Sequence, residues 1–200
     1  MILAIDTSTA ACTAALFDAD GTCVAKRSEI IGRGHSERLV PMLDEMLGGR
    51  TAEHILVGVG PGSFTGIRVG VAAAHGLAIG WDAQVHGMSS LALIAAGAEG
   101  LVAVAVRGGH GELFVQQFDA DLSPTTALLN LPPAEAAKAV LADVVIGSGA
   151  ADLVGERGSG TPREGWPEAS LALRLPEALR SLPPKPLYAR APDARAREAA

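Results

Sequence analysis

Three stretches of this 200-residue chain have residue types and spacing that chemistry could use. Asp6-Thr7-Ser8 follows the apolar run Ile2-Leu3-Ala4-Ile5. A carboxylate at a strand tip can face a phosphate or a metal. With no further information it is a turn former, its side chain bonded to nearby backbone. The second stretch runs from Gly58 to Gly70, Gly-Val-Gly-Pro-Gly-Ser-Phe-Thr-Gly-Ile-Arg-Val-Gly, between the apolar Ile55-Leu56-Val57 and a run rich in alanine and glycine that reaches Gly80. The third is Gly147-Ser148-Gly149, after Val144-Val145-Ile146.

Spacing separates these stretches from several familiar sites. A Walker loop ends in Gly-Lys-Ser/Thr because lysine meets the β and γ phosphates, and the second stretch has no lysine. The dinucleotide fingerprint needs a glycine three residues after Gly62; Thr65 stands there and Gly66 comes one later. Gly147-Ser148-Gly149 lacks the spacing of a Gly-x-Ser-x-Gly nucleophile elbow. No His-Glu-x-x-His occurs, and His35 and His75 are followed four residues on by Leu39 and Ile79. Cys12 and Cys23 are too few thiols for a disulfide framework or a thiolate zinc site. The glycine stretch therefore reads as a closely packed joint between a strand and a helix. Ser63 or Thr65 caps the helix.

That helix carries an unusual surface. Gly66, Gly70, Ala74 and Ala78 recur every four residues and share one face; Ala72, Gly76 and Gly80 form a second row. Each glycine costs about 1 kcal/mol of helix propensity, so something gains by coming close. The close neighbour is either this chain's own sheet or a partner helix. Arg68, His75 and Asp82 leave too short an apolar run for a membrane span.

Apolar residues make up 48% of the chain, enough for sizeable cores, and aromatics only 4%. Ala, Val, Leu and Ile must then fill the interior, which suits strands buried on both faces. The net charge of −6 argues against unaided nucleic-acid binding, which shows a basic face. Met1-Ile2-Leu3-Ala4-Ile5-Asp6 reads as a strand rather than a signal peptide, and the expected location is the cytoplasm.

Along the chain the pattern predicts strands at 2–5, 11–17 and 22–28 around a turn at Asp18-Ala19-Asp20-Gly21. A helix over 35–47 follows, with a kink or late start at Pro41. Its stripe Leu39, Met42, Leu43, Met46 and Leu47 suits either core packing or an adaptable contact surface. After the glycine joint come a strand at 84–87 and a helix capped at Met88-Ser89-Ser90. Strands at 101–106 and 112–118 flank a turn at 108–111. A helix starts at Pro132-Pro133, and a strand follows at 144–146. Residues 155–167 read as loop, 171–182 as a weak helix, and 183–188 as extended. No internal repeat is visible at the residue level. The expected divisions are a first lobe at 1–98, a shortened second lobe at 99–188 and a polar tail at 189–200.

Gly60-Pro61-Gly62-Ser63-Phe64-Thr65-Gly66-Ile67-Arg68 resembles the signature of the bacterial TsaB family. That family supplies a subunit of the machinery that makes threonylcarbamoyladenosine on transfer RNA. The resemblance extends from Ile2 to about Tyr188. It includes Asp6-Thr7-Ser8, His35-Ser36-Glu37, Ile146-Gly147-Ser148-Gly149-Ala150 and Leu187-Tyr188 with Arg190. It implies an α/β fold of the actin, Hsp70 and sugar kinase type, with the second lobe reduced. In that superfamily an aspartate at the place of Asp6 faces nucleotide phosphates, and a glycine turn like Gly147 to Gly149 lies near adenosine. A vestigial nucleotide site is thus expected at Asp6, Thr7, Ser8, Gly147 and Gly149. The family often has Asp-Ala-Arg before the Gly-Glu of the central hairpin; here Arg107-Gly108-Gly109-His110 precedes Gly111-Glu112.

The catalytic relative TsaD holds metal with two histidines four apart on a helix. Those places fall at Ser90 and Ile94, which cannot supply that pair. The resemblance thus implies a subunit with no catalytic residues, metal or cofactor of its own, which docks on a TsaD-type transferase as a heterodimer. A small TsaE-type ATPase joins them, and transfer RNA is met only through the complex. The expected contact residues are Leu39, Met42, Leu43 and Met46 with Gly66, Gly70 and Ala74, and the same face would serve a homodimer. The alternatives are a free-standing ATPase or kinase of the superfamily and, more weakly, a peptidase.

Overall fold

The computed structural model describes residues 1–187. Strands β1 (Ile2–Asp6), β2 (Ala11–Phe17) and β3 (Cys23–Ile30) form an antiparallel meander. Strands β4 (His54–Gly58) and β5 (Gln84–Met88) add in parallel on the other side of β1, giving the order β3-β2-β1-β4-β5. The second sheet repeats this plan. It consists of β6 (Val102–Arg107), β7 (Leu113–Phe118), β8 (Leu129–Leu131), β9 (Val144–Ile146) and β10 (Thr161–Arg163), in the order β10-β9-β6-β7-β8 with the same parallel and antiparallel senses. One strand plan used twice is the actin-like α/β architecture that the resemblance implied. Strands β8, β9 and β10 have three residues each, which is the reduction of the second half.

Three helices on the first half position everything that follows. α1 (His35–Leu47) and α2 (Phe64–Trp81) cover one face of the first sheet, over a core of Leu3, Ile5, Leu16, Ile55 and Val57. α3 (Ser90–Ala95) has all six residues buried. It lies in a core shared by both sheets, with Ala4, Phe17 and Leu56 of the first and Val102, Val104 and Phe118 of the second. Strand β2 is buried at all seven positions because helices cover one face and the shared core the other. α4 (Pro133–Ala139) and α5 (Ala150–Arg157) close a third core on the second sheet.

The chain then returns to the first sheet. A 3-10 turn at Ala169–Arg174 packs against β1, β2 and β3. The Ala169 amide donates to Thr13 Oγ1 at 3.1 Å, and Ser28 Oγ donates to Glu168 at 2.9 Å. After α6 (Glu177–Arg180), Leu182 pairs with Gly87 on the edge of β5, and the Leu187 amide donates to the Val59 carbonyl at 2.8 Å. Residues 168–187 therefore serve the first sheet although they follow the second.

Several elements differ from the sequence-based expectation. Of the two outcomes expected at Pro41, a kink or a late start, the late start does not occur: α1 begins at His35 and continues past Pro41, which is exposed. Residues 155–167, expected as loop, hold the end of α5 and strand β10. Pro162 fits there because β10 is an edge strand, where a missing donor is tolerated. The weak helix expected over 171–182 is two short turns, separated at Leu175-Pro176 because proline cannot continue a helix. Strand β8 lies in a stretch for which the sequence pattern predicts no strand. Tyr188, Arg190 and the tail at 189–200 lie outside the described residues.

Candidate functional site

Four glycines, each four residues from the next, meet the tip of β1. A Cβ on Gly58 would overlap the Asp6 carboxylate, one on Gly62 the Ser8 carbonyl, and one on Gly66 the Thr7 carbonyl. On Gly70 it would lie 2.5 Å from Thr7 Oγ1. The smooth row thus faces this chain's own first turn, which is what gains by coming close. The Ser63 amide donates to the Ser8 carbonyl at 2.6 Å, and Thr7 Oγ1 donates to the Gly66 carbonyl at 2.7 Å. Ser63 is the cap of α2, its Oγ accepting from the Gly66 amide at 3.2 Å. Gly60, at φ +98°, takes a backbone shape that a side chain disfavours.

Asp6 sits at the centre of this joint, fully buried with Ser8 and Ser90. Its Oδ1 accepts from the Ser8 amide at 2.8 Å and from Ser8 Oγ at 2.7 Å. Its Oδ2 accepts from Ser90 Oγ at 2.6 Å, and Ser90 Oγ in turn accepts from the Gly60 amide at 3.1 Å. Burial pushes the Asp6 carboxyl above its usual range, against hydrogen bonds from Ser90 and Ser8 that pull the other way. Both oxygens are engaged by the chain itself. Thr7 is 1% exposed and its hydroxyl is committed to Gly66.

The other half of the expected nucleotide site is also occupied from within. The Gly147 amide donates to the Arg163 carbonyl at 3.0 Å and the Gly149 amide to the Ala105 carbonyl at 2.9 Å. Cβ atoms on Gly147 and Gly149 would meet the Ala105 carbonyl and the Leu113 side chain, so these glycines serve close packing on β6 and β7. Ser148 Oγ accepts from the Arg107 amide at 3.0 Å. The Arg107 guanidinium forks onto Asp152, in the first turn of α5, at 2.7 and 3.0 Å. This pair holds the Asp152 carboxyl below its usual range. Arg107, at the end of β6, thus anchors the start of α5.

Ser90 and Ile94, where the resemblance leads one to expect the TsaD histidine positions, are a hydrogen-bonding partner of Asp6 and a 2%-exposed core residue. Among the described residues no group of three or more His, Cys, Asp or Glu side chains converges as a metal-binding set. None of the described helices is long and apolar enough to cross a membrane. Cys12 is buried, which pushes its thiol up to about 11, whereas Cys23 is exposed.

The expected contact residues need correction. Leu39 and Met42 are fully buried, and Leu43 and Met46 are 3% exposed, in the core over the first sheet. Gly66, Gly70 and Ala74 are buried against the same half of the molecule. These seven lie on the inner faces of α1 and α2, and of them only Leu43 also borders the groove between the two helices. The outer faces instead present Val40, Phe64 and Ile79 to solvent, at 61%, 57% and 86% exposure. Between the helices lies an open groove of about 460 Å³, lined by Val40, Leu43, Leu47, Gly76, Leu77 and Trp81. A Cβ on Gly76 or Gly80 would meet nothing within 4 Å. The second small-residue row, Ala72, Gly76 and Gly80, was thus the signal for the outward face. In the first turns of α2, Arg68 stacks on the Phe64 ring at 3.5 Å.

Comparison with known proteins places these features in a family. Residues 27–126 match the family model described as TsaD, tRNA N6-adenosine threonylcarbamoyltransferase. Over 193 residues the chain is 35% identical to the tRNA threonylcarbamoyladenosine biosynthesis protein TsaB of Escherichia coli, covering 89% of this chain and 80% of that protein. It is 33% identical over 121 residues to the Bacillus subtilis protein of the same name, covering 56% of this chain and 52% of the relative. The solved structure of YeaZ from Pseudomonas aeruginosa superposes with a TM-score of 0.76 at 27% identity, over 94% of this chain and 99% of that one.

Proposed function

The chain belongs to the TsaB family of tRNA threonylcarbamoyladenosine biosynthesis proteins, and from that premise we propose that it is a non-catalytic subunit that docks on a TsaD-type transferase and keeps it competent. The observation that carries this reading is the state of Asp6. The carboxylate that the superfamily turns toward a nucleotide is here buried, with Ser8 on one oxygen and Ser90 on the other. A group so engaged is a structural element, and chemistry on transfer RNA falls to the partner. A TsaE-type ATPase joins the pair, transfer RNA is met through the complex, and the assembly works in the cytoplasm without a cofactor held by this chain. We place the docking surface on the outer faces of α1 and α2, around the groove at Val40, Gly76, Leu77 and Trp81. An Ala/Gly row lets a partner helix approach closely, and exposed Val40 and Ile79 supply apolar surface to bury.

Size-exclusion chromatography with the TsaD-type subunit of the same organism tests the placement. Wild type co-elutes. Gly76→Leu, which fills the groove from a position with open space around it, elutes alone while melting no lower than wild type. A normal complex with Gly76→Leu would refute this docking face. A homodimer through the same face is the expected competitor when the partner is absent.

A further inference from the structure

We infer that Asp6 is a positioning residue for partner docking: its two carboxylate oxygens tie down the two ends of the Gly60–Ser63 turn from which α2 departs. This rests on the proposed docking role of α2. One arm runs from Oδ2 through Ser90 Oγ at 2.6 Å to the Gly60 amide at 3.1 Å. The other runs from Oδ1 to the amide and hydroxyl of Ser8, whose carbonyl accepts the Ser63 amide at 2.6 Å. Gly60 opens the turn and Ser63 closes it as the cap of α2. A buried carboxylate therefore sets the entry angle of the helix that carries Gly76, Leu77 and Ile79.

The chemistry explains why the pair is aspartate and serine. Ser90 has one hydroxyl hydrogen; given to Oδ2, it leaves the oxygen's lone pairs for the Gly60 amide. In Asp6→Asn, a side-chain NH₂ at the place of Oδ2 would offer hydrogens to a hydroxyl that already accepts one. Ser90 must then turn its own hydrogen away, in a site with no water-exposed outlet, and its hold on Gly60 loosens. Thr7 is a separate tether, because its hydroxyl bonds the Gly66 carbonyl directly and does not pass through Asp6. Gly58 completes the device: any Cβ there would displace the carboxylate from Ser90.

The full-length chain is compared as wild type, Asp6→Asn, Ser90→Ala and the double variant. Calorimetry measures affinity for the TsaD-type subunit, and amide hydrogen exchange reports on Gly60 and Ser63. Each single variant is expected to weaken binding about tenfold and to speed exchange at Gly60. The double variant is no weaker than the worse single one, because both changes cut one path. A role in stability alone would lower the melting temperature and leave affinity unchanged, which overturns the inference. If Asp6→Asn does not fold, Ser90→Ala decides by the same two readouts. Failure of wild type to bind the partner sinks the docking reading and this inference with it; equal binding by wild type and both variants sinks the inference alone.

Discussion

Gly66→Ala and Gly76→Ala are the same change in the same helix, and the packing predicts opposite signs. At Gly66 the new methyl runs into the Thr7 carbonyl, a backbone atom fixed in β1 and its turn. Relieving that overlap costs about 1–3 kcal/mol by the usual penalty for overpacking. It also strains the Thr7 Oγ1 bond to the Gly66 carbonyl, which contributes about 0.5–1.5 kcal/mol. Better helix propensity returns at most about 1 kcal/mol. The net is a loss of about 0.5–3.5 kcal/mol, a fall of roughly 1–14 °C in melting temperature for a chain of this size. At Gly76 nothing lies within 4 Å, so only the propensity gain remains, about 0.5–1 kcal/mol or a rise of roughly 1–4 °C. Urea titration of both variants, with unchanged m-values, supplies the measurement. Equal stabilisation by the two alanines would refute the claim that the glycine row exists to admit the β1 tip.

Three more outcomes follow from the same geometry. Thr13→Val removes the acceptor of the buried Ala169 amide at 3.1 Å and should cost about 1–3 kcal/mol in urea unfolding; an unchanged midpoint would show that the returning segment is not held there. Asp6 has its carboxyl raised by burial, so the folded chain keeps that proton more tightly than the unfolded chain. Wild type should therefore lose stability relative to Asp6→Asn as pH rises from near 3.8 through the folded value, and a difference that is flat with pH would contradict this. Gly76→Leu should abolish co-elution with the TsaD-type subunit and leave the fold intact; loss of folding instead would mean that the groove side of α2 is not free.

The sequence made the first half of this fold readable because local rules and tertiary packing agree there. Ser63, one of the two candidate caps of α2, and Ser89, within the capping stretch expected at Met88-Ser89-Ser90, accept from Gly66 and Ala92. The second half was harder. Strands β8 and β10 have three residues each, too few for alternation to register, and Gly155 inside α5 pointed to a loop. The site shows a deeper limit. Periodicity at Leu39, Met42, Leu43 and Met46 says that one face of α1 is covered, and says nothing of whether the cover is the chain's own sheet or another protein. Gly66, Gly70 and Ala74 pose the same question for α2. The four-residue spacing that runs through Gly58 and Gly62, ahead of the helix, was the clue that the partner is a fixed piece of backbone nearby. The bond from Ser90 to Asp6 spans 84 residues and has no local signature.

The most direct test is where the chemistry resides. Threonylcarbamoyl transfer to transfer RNA is to be measured with the TsaD-type and TsaE-type subunits present, with and without this chain, and with this chain alone. Product is expected only when this chain accompanies the transferase, and none from this chain by itself. Modified transfer RNA formed by this chain alone, or an undiminished rate in its absence, would contradict it.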